Sequence, residues 1–245
     1  QLRKARARGC CKVCIGGGEI LPDANDANSL SPIHAHALTL TGKERPRVCF
    51  VPTASGDSPE YVAHVEKAFG GRSEFSVLPL FKHDGRDVRK HLLAQDFIYA
   101  GGGSTANLLA IWRVHGLDRF MREAGDNGVL LGGISAGMLC WFECSLTDSF
   151  GGTKPLRDGL GFLQGSACPH YHGEAERVPG LRKAITGGEL PTTFALDDGA
   201  AALFEDGRLV EIVTEDAGAR GYRVSVSNEE QLDVRRLGVS QSRSP

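Results

Sequence analysis

The sequence contains no apolar run of the roughly 18 residues that a membrane-spanning helix needs, which argues against a bilayer span. It also has no excess of charge of one sign, since 28 Lys and Arg stand against 30 Asp and Glu. A nearly neutral chain creates no overall field that would attract nucleic acid or an anionic membrane. We therefore expect a small-molecule or peptide ligand, with neither nucleic acid nor membrane as a partner.

The sequence also has few residues in the patterns that bind metals or build disulfide frameworks. Its seven cysteines are an odd number scattered over a long chain, which is typical of a protein from the reducing cytoplasm. The CCKVC stretch (10–14) has no partner C-x-x-C or H-x-x-x-H pair to complete four zinc ligands. The sequence thus predicts a cytoplasmic protein without a metal site.

No low-complexity linker interrupts the chain, so a single domain over residues 1–245 is expected. The N-terminus is basic and then briefly apolar, and Lys12 breaks the apolar part, which makes it a poor secretory signal. Residues 1–11 are predicted to form a flexible basic arm, and residues 235–245 a mobile polar tail.

Between Lys12 and about Ser135, apolar runs alternate with amphipathic segments. Each run ends in a turn rich in Gly, Ser or Thr, as in DFIYAGGGST (96–105) before ANLLAIWRVHG (106–116). This alternation predicts βαβ units in a doubly wound, mostly parallel α/β sheet with helices on both faces. After Leu160, short apolar runs joined by Asp-Gly turns predict a C-terminal β meander at the edge of the sheet.

Two glycine-rich turns, GGGEI (16–20) and GGGST (101–105), superficially resemble nucleotide-binding loops. Neither completes G-x-G-x-x-G, because Leu21 and Ala106 occupy the position of the third glycine. We expect tight turns, with Ser104 or Thr105 capping the next helix, and backbone N–H groups that can face an oxyanion. No organic cofactor is predicted.

GISAG (133–137) matches G-x-S-x-G, which in α/β folds places a serine on a sharp turn between a strand and a helix. Its surroundings fit, since VLLG (129–132) is a candidate strand and AGMLCWF (136–142) a candidate helix. The context favours Ser135 as a nucleophile over a serine that only packs. Trp141 and Phe142 are predicted to anchor the helix in the core.

A serine nucleophile needs a histidine that takes its proton and a carboxylate that orients the histidine. His170 is the predicted base, because it follows the apolar approach to CPHY (168–171), and His172 is the alternative. The other histidines are assigned to amphipathic helical stretches (His64, His91 and His115), to a polar turn (His83) or to an early loop (His34 and His36). Spacing leaves three candidates open for the acid: Asp148, Glu143 and Glu174.

Together these motifs resemble the peptidase S51 family, the group of dipeptidase E (aspartyl dipeptidase) and cyanophycinase. The resemblance runs from GGGEI through PTASGDS, IYAGGGST, GISAG and CPHYHGE to the C-terminal strands, and is strongest to bacterial peptidase E-like proteins. It implies a fold like that of the class I glutamine amidotransferases, a flavodoxin-like three-layer sandwich. Those enzymes have cysteine at the elbow, whereas serine stands here.

The resemblance also implies roles for individual residues. Ser135 corresponds to the nucleophile and His170 to the base, and Asp148 matches the acidic position if a short gap is allowed. Backbone N–H groups would form the oxyanion hole, from Gly102 or Gly103 and from Ala136. Arginines after His170 are candidates for binding an acidic substrate side chain: Arg177 and Arg182.

The sequence therefore predicts a serine peptidase that hydrolyses short peptides, including aspartyl dipeptides, through an acyl-enzyme, as a monomer or homodimer. Two alternatives stay open at this point. One is an esterase or amidase with the same triad. The other is a non-catalytic, amidotransferase-like domain that binds a small anion and in which Ser135 only packs.

Overall fold

The computed structural model describes residues 10–22, 29–82 and 84–238. Residues 1–9 of the expected arm, residues 239–245 of the expected tail and His83 lie outside the described residues. The first strand already begins at Cys11, and Arg235–Arg236 forms a short strand. These inner ends of the expected arm and tail are therefore part of the fold.

A parallel five-stranded unit forms the centre of the first sheet. Its strands are β1 (Cys11–Ile15), β2 (Arg47–Val51), β3 (Glu74–Val77), β4 (Phe97–Ala100) and β5 (Leu130–Ile134). They pair in parallel in the order β1-β5-β4-β2-β3. Strands β4 and β5 are buried at every residue, as expected for parallel strands covered on both faces.

Helices cover both faces of this unit. They are α1 (Pro32–Leu40), α2 (Pro59–Phe69), α3 (Val88–Leu93), α4 (Thr105–His115) and α5 (Leu117–Asp126). Helices α1 and α2 share one core with Phe50 and Tyr99, whereas α3 to α5 share the opposite core with Val51 and Ile98. Ser104 caps α4 by accepting the amide of Asn107, one of the two predicted caps. The expected α/β class is confirmed.

The C-terminal half adds nine strands and two helices. They are α6 (Ala136–Leu139), β6 (Phe142–Thr147), β7 (Lys154–Leu156), β8 (Leu163–Cys168), α7 (Arg177–Thr186), β9 (Thr193–Leu196), β10 (Ala200–Glu205), β11 (Arg208–Thr214), β12 (Gly221–Val224), β13 (Glu229–Gln231) and β14 (Arg235–Arg236). Strands β10, β11 and β14 extend the first sheet beyond β1, and the others form a second sheet in the order β13-β12-β9-β8-β6-β7. The C-terminal strands are thus divided between two sheets. No helix of the described residues has the length and apolar character needed to cross a membrane.

The helix predicted after Ser135 is shorter than its apolar sequence suggested. It ends at Leu139, and Phe142 opens β6 instead. Trp141 and Phe142 are nevertheless in the core, at 0% and 2% exposure. Both β-prone aromatics thus bury their rings where the chain crosses from the first sheet to the second.

His34 and His36 were expected in a loop, but both lie on α1. Ser31 begins this helix, with Pro32 in its first turn, so the helix has a clear start signal. His34 is buried, and its ring nitrogens contact Ser31 Oγ at 2.7 Å and Tyr99 Oη at 2.9 Å. His34 is therefore a core residue in which each ring nitrogen has a hydrogen-bond partner.

Candidate active site

Ser135 stands on a sharp turn between β5 and α6, with φ 55° and ψ −115°. Its amide donates to Ile15 O at 3.1 Å, which fixes the turn against the end of β1. A Cβ on Gly133 would lie 2.4 Å from Gly137 O, and a Cβ on Gly137 would lie 2.1 Å from Ala100 O. The flanking glycines are required because the turn packs on backbone, and this strained geometry exposes a serine hydroxyl.

His170 reaches Ser135 from the second sheet. It stands two residues beyond β8, with φ 52°, and its Nε2 lies 2.9 Å from Ser135 Oγ. His172, the alternative base, instead has its Nδ1 2.8 Å from Asp197 Oδ1. The geometry therefore pairs Ser135 with His170.

The carboxylate that meets His170 is Asp198, with Oδ1 2.6 Å from Nδ1. Asp198 stands two residues beyond β9, and β9 is paired in parallel with β8, so the two side chains leave the same edge of the second sheet. A carboxylate at Nδ1 keeps the proton there and leaves Nε2 to accept from the serine. Ser135, His170 and Asp198 thus form one continuous hydrogen-bonded chain.

The position of Asp198 corrects the choice of acid, because it is none of the three candidates that spacing left open and differs from Asp148, which the resemblance implied. Asp148 Oδ2 lies 3.4 Å from a guanidinium nitrogen of Arg177, and Glu174 Oε2 lies 2.6 Å from its Nε. Glu143, on β6, accepts the amide of Gly165 at 2.9 Å. All three carboxylates are occupied elsewhere in the fold, and none of them bonds to His170.

Two glycines make room for the pair of His170 and Asp198. A Cβ on Gly17 would lie 1.9 Å from Asp198 Oδ1 and 2.4 Å from His170 Nδ1. A Cβ on Gly173 would lie 2.1 Å from Asp198 Oδ2. Gly17 also accepts the amide of Gly199 at 3.0 Å, so the GGGEI turn lies directly against the turn that carries Asp198. This turn supports the histidine and its carboxylate.

The two arginines predicted to bind substrate are engaged within the fold. Arg177 is 1% exposed and donates to Leu146 O, besides its contacts with Asp148 and Glu174. Arg182 lies 2.6 Å from Glu229 Oε2. Arg177 is buried, and each of its three guanidinium nitrogens already contacts an oxygen of the protein, so Arg177 is a structural residue.

Of the predicted oxyanion-hole residues, Gly102 and Ala136 lie beside Ser135, whereas a Cβ on Gly103 would lie 2.2 Å from Ala54 O. A Cβ on Gly102 would be 3.5 Å from Ser135 Cβ, which places the GGGST turn next to the nucleophile. Ala136 is the first residue of α6, so no earlier residue of that helix can accept its amide. The amide of Gly102, however, donates to Tyr61 Oη at 3.2 Å. Sequence reasoning did not identify this tyrosine, because it stands after PTASGDS (52–58) on α2, where the pattern indicates only a helix.

No group of three or more His, Cys, Asp or Glu side chains among the described residues is arranged to hold a metal ion. The groups that converge at the carboxyl ends of β5, β8 and β9 are the serine, the histidine, the aspartate and nearby backbone amides. Such a set is suited to acyl transfer.

Comparisons with known proteins agree on one class of enzyme. The sequence profile of peptidase family S51 matches residues 14–212. The protein named uncharacterized peptidase YgaJ, from Bacillus subtilis (strain 168), is 42% identical over 223 residues, which cover 91% of this chain and 95% of the relative.

Solved structures show the same fold at lower sequence identity. A peptidase from an acI-B1 actinobacterium is similar with a TM-score of 0.68 and 17% identity, over 93% of this chain and 96% of the other. A structure from Listeria monocytogenes EGD-e, described as a peptidase E protein, has a TM-score of 0.60 and 18% identity, over 88% and 98%. The architecture is thus that of the peptidase E-type proteins.

Proposed function

The chain belongs to peptidase family S51, and from this premise we propose that it is a serine peptidase acting on short peptides through Ser135, His170 and Asp198. One observation carries the proposal. His170 lies 2.9 Å from Ser135 Oγ through Nε2 and 2.6 Å from Asp198 Oδ1 through Nδ1, which is the linear arrangement that serine activation needs.

The proposed reaction forms and then hydrolyses an ester on Ser135. Ser135 Oγ attacks the scissile carbonyl carbon while His170 Nε2 takes its proton, and Asp198 stabilises the resulting imidazolium. When the C–N bond breaks, His170 gives this proton to the leaving amine. Water then attacks the ester with His170 again as base, which releases the acyl part as a carboxylate and restores Ser135.

A preference for an N-terminal Asp would need a cationic or multiply donating side chain in the substrate site. Arg177 and Arg182 do not support this preference, because both bind carboxylates of the protein itself. We therefore propose short peptides as the substrate class, with aspartyl dipeptides as one member to test. A panel of Asp-Xaa, Xaa-Asp, β-aspartyl and neutral dipeptides beside simple esters would identify the preferred acyl group.

The proposal is tested by three single substitutions assayed on the best substrate of that panel. Ser135→Ala should abolish turnover and labelling by a fluorophosphonate. Asp198→Asn should lower kcat by about 10⁴, since an asparagine favours the wrong histidine tautomer. Asp148→Asn is the matched control and should retain near-wild-type kcat, because Asp148 lies against Arg177.

Two results would contradict this assignment. Turnover by Ser135→Ala at the wild-type rate would remove the serine mechanism. Loss of activity in Asp148→Asn with activity retained in Asp198→Asn would restore Asp148, the acid that the family resemblance implied. Turnover of esters alone would favour an esterase.

We also propose that the protein works in a reducing compartment such as the cytoplasm. All seven cysteines are free thiols, and four of them are buried: Cys14, Cys49, Cys140 and Cys168. A chain that uses cysteines as small core residues is suited to a compartment that keeps them reduced. Mass analysis of the native protein with and without reductant would test this, and a disulfide in the purified cellular protein would contradict it.

A further inference from the structure

Tyr61 lies on α2 and extends toward the turn beside the nucleophile. Its ring packs edge-on against Phe50, with the ring centroids 5.3 Å apart. A Cβ on Gly101 would lie 2.9 Å from Tyr61 Cε1, so the turn can pass the ring only because this residue is glycine. The ring is therefore fixed at the start of the GGGST turn.

The phenol oxygen of Tyr61 already accepts a hydrogen bond from one of the amides that were expected to form the oxyanion hole. Gly102 N donates to it at 3.2 Å, and Gly102 lies directly beside Ser135. This amide is consequently directed at the tyrosine. A phenol has one proton to donate, and within the part of the chain that the structure describes no residue accepts that proton.

We propose that Tyr61 is a catalytic residue. Its hydroxyl oxygen accepts the hydrogen bond from the Gly102 amide, and its hydrogen is donated to the carbonyl oxygen of the substrate as negative charge develops there. The inference rests on the proposed function. In this arrangement the amide polarises the hydroxyl, so that the phenol becomes a stronger donor than an isolated one. The amide of Ala136 supplies the second hydrogen bond from the other side of Ser135.

The surroundings of Tyr61 keep the phenol in its donating form. Burial raises the pKa of Tyr61, because the phenolate would lose its hydration, and the hydrogen bond from Gly102 only partly offsets this. The group therefore remains protonated at neutral pH. A donor held by a packed ring also needs little reorganisation when charge develops.

The test is Tyr61→Phe, which keeps the ring packing against Phe50 and removes only the hydroxyl. The expected result is a fall in kcat of about 10² to 10³ with little change in KM, the cost typical of one oxyanion donor. The affinity for a peptide aldehyde or boronate, which mimics the tetrahedral adduct, should fall by a similar factor. Tyr99→Phe is the matched control, since its hydroxyl is buried against His34, and it should leave kcat unchanged.

The opposite hypothesis, in which Tyr61 has no catalytic role, predicts a different change in kcat. If Tyr61 only blocks the Gly102 amide, Tyr61→Phe frees that donor, and kcat stays the same or rises. Such a result would overturn the inference. A fall in kcat with unchanged aldehyde affinity would also overturn it, because it would indicate a general loss of active-site order.

A second replacement keeps the proposal testable if Tyr61→Phe folds poorly. Fluorinated tyrosine at position 61 keeps both the ring and the hydroxyl but ionises at lower pH. On an ester substrate, the alkaline loss of kcat/KM should move to lower pH, and an unmoved profile would contradict a donating phenol. Failure of the proposed function is separate, because it would appear in the wild type as turnover that does not depend on Ser135.

Discussion

Gly17→Ala should strongly lower the activity although it replaces none of the three proposed catalytic residues. Gly17 lies two residues beyond β1, and an added methyl carbon would be 1.9 Å from Asp198 Oδ1 and 2.4 Å from His170 Nδ1. Carbon and oxygen atoms that are not bonded to each other rarely approach closer than about 3.3 Å. The carboxylate must therefore move by more than 1 Å, and the imidazole must move as well, by a smaller distance.

The size of the fall in kcat depends on which contacts of the catalytic groups that movement disrupts. The bond between His170 and Asp198 is 2.6 Å long, so a displacement of this size separates the two groups or turns the ring away from Ser135. A misplacement of 1 Å can cost about 10² in rate, and full loss of the carboxylate about 10⁴. We expect kcat to fall between these limits, with a loss of about 1 to 3 kcal/mol in the free energy of unfolding from crowding.

The assay is kcat and KM on the chosen peptide, the rate of fluorophosphonate labelling at Ser135 and urea unfolding of the same preparation. Gly71→Ala is the matched control, because nothing lies within 4 Å of the position of its Cβ. In an Asp198→Ala background the Gly17→Ala change should cost far less, since the clashing oxygen is gone. A folded Gly17→Ala enzyme within about threefold of the wild-type kcat would refute this reasoning.

Two further predictions concern stability and thiol reactivity. Burial lowers the pKa of His34 from 6.5 to about 3, so the folded protein binds this proton less readily than the unfolded chain does. The contribution of His34 to the free energy of unfolding is fully present above pH 6.5 and is lost as the pH falls toward 3, at about 1.4 kcal/mol per pH unit. Urea unfolding between pH 4 and pH 7 should show a weaker pH dependence in His34→Gln than in the wild type, and parallel curves would contradict this. An aromatic disulfide reagent should react rapidly with the three partly exposed cysteines, Cys10, Cys11 and Cys144, and with the four buried ones only after unfolding. Rapid reaction of all seven thiols in the native protein would show that the core is open.

The class of fold and two of the three candidate catalytic side chains could be predicted from the sequence by one rule. Apolar runs followed by glycine turns mark the carboxyl ends of parallel strands, where ligands gather in open α/β sheets. Ser135 directly follows β5, and His170 stands two residues beyond β8. Ser135 is predicted from the G-x-S-x-G match after a candidate strand, and His170 from the apolar approach to CPHY (168–171).

Asp198 obeys the same rule but was missed. It stands two residues beyond β9, in FALDDGA (194–200), where the Asp-Gly pair suggested an ordinary hairpin turn. The hairpin turn is in fact Asp206–Gly207, between β10 and β11, whereas Asp198–Gly199 carries the chain from the second sheet to the first. Local turn chemistry is alike at both places, and only long-range strand pairing tells them apart.

Tyr61 could not be predicted for a different physical reason. It belongs to PEYVAHVEKAF (59–69), whose amphipathic pattern indicates a helix. The pattern does not show what the hydroxyl group of Tyr61 contacts. The contact of Tyr61 Oη with the Gly102 amide joins residues 41 positions apart. It depends on Phe50 and on the missing side chain of Gly101, which no short motif records.

The division of the C-terminal strands between two sheets has a consequence for synthesis of the protein. The ribosome completes Ser135 first, His170 next and Asp198 last, and Asp198 lies between β9, which pairs with β8, and β10, which pairs with β1. A growing chain that has folded its parallel unit therefore carries a serine hydroxyl without a base, which is a poor nucleophile. Under the proposed mechanism, full activity begins only after the strands that carry His170 and Asp198 have been made and have paired, so a chain that ends before β9 lacks the complete catalytic set.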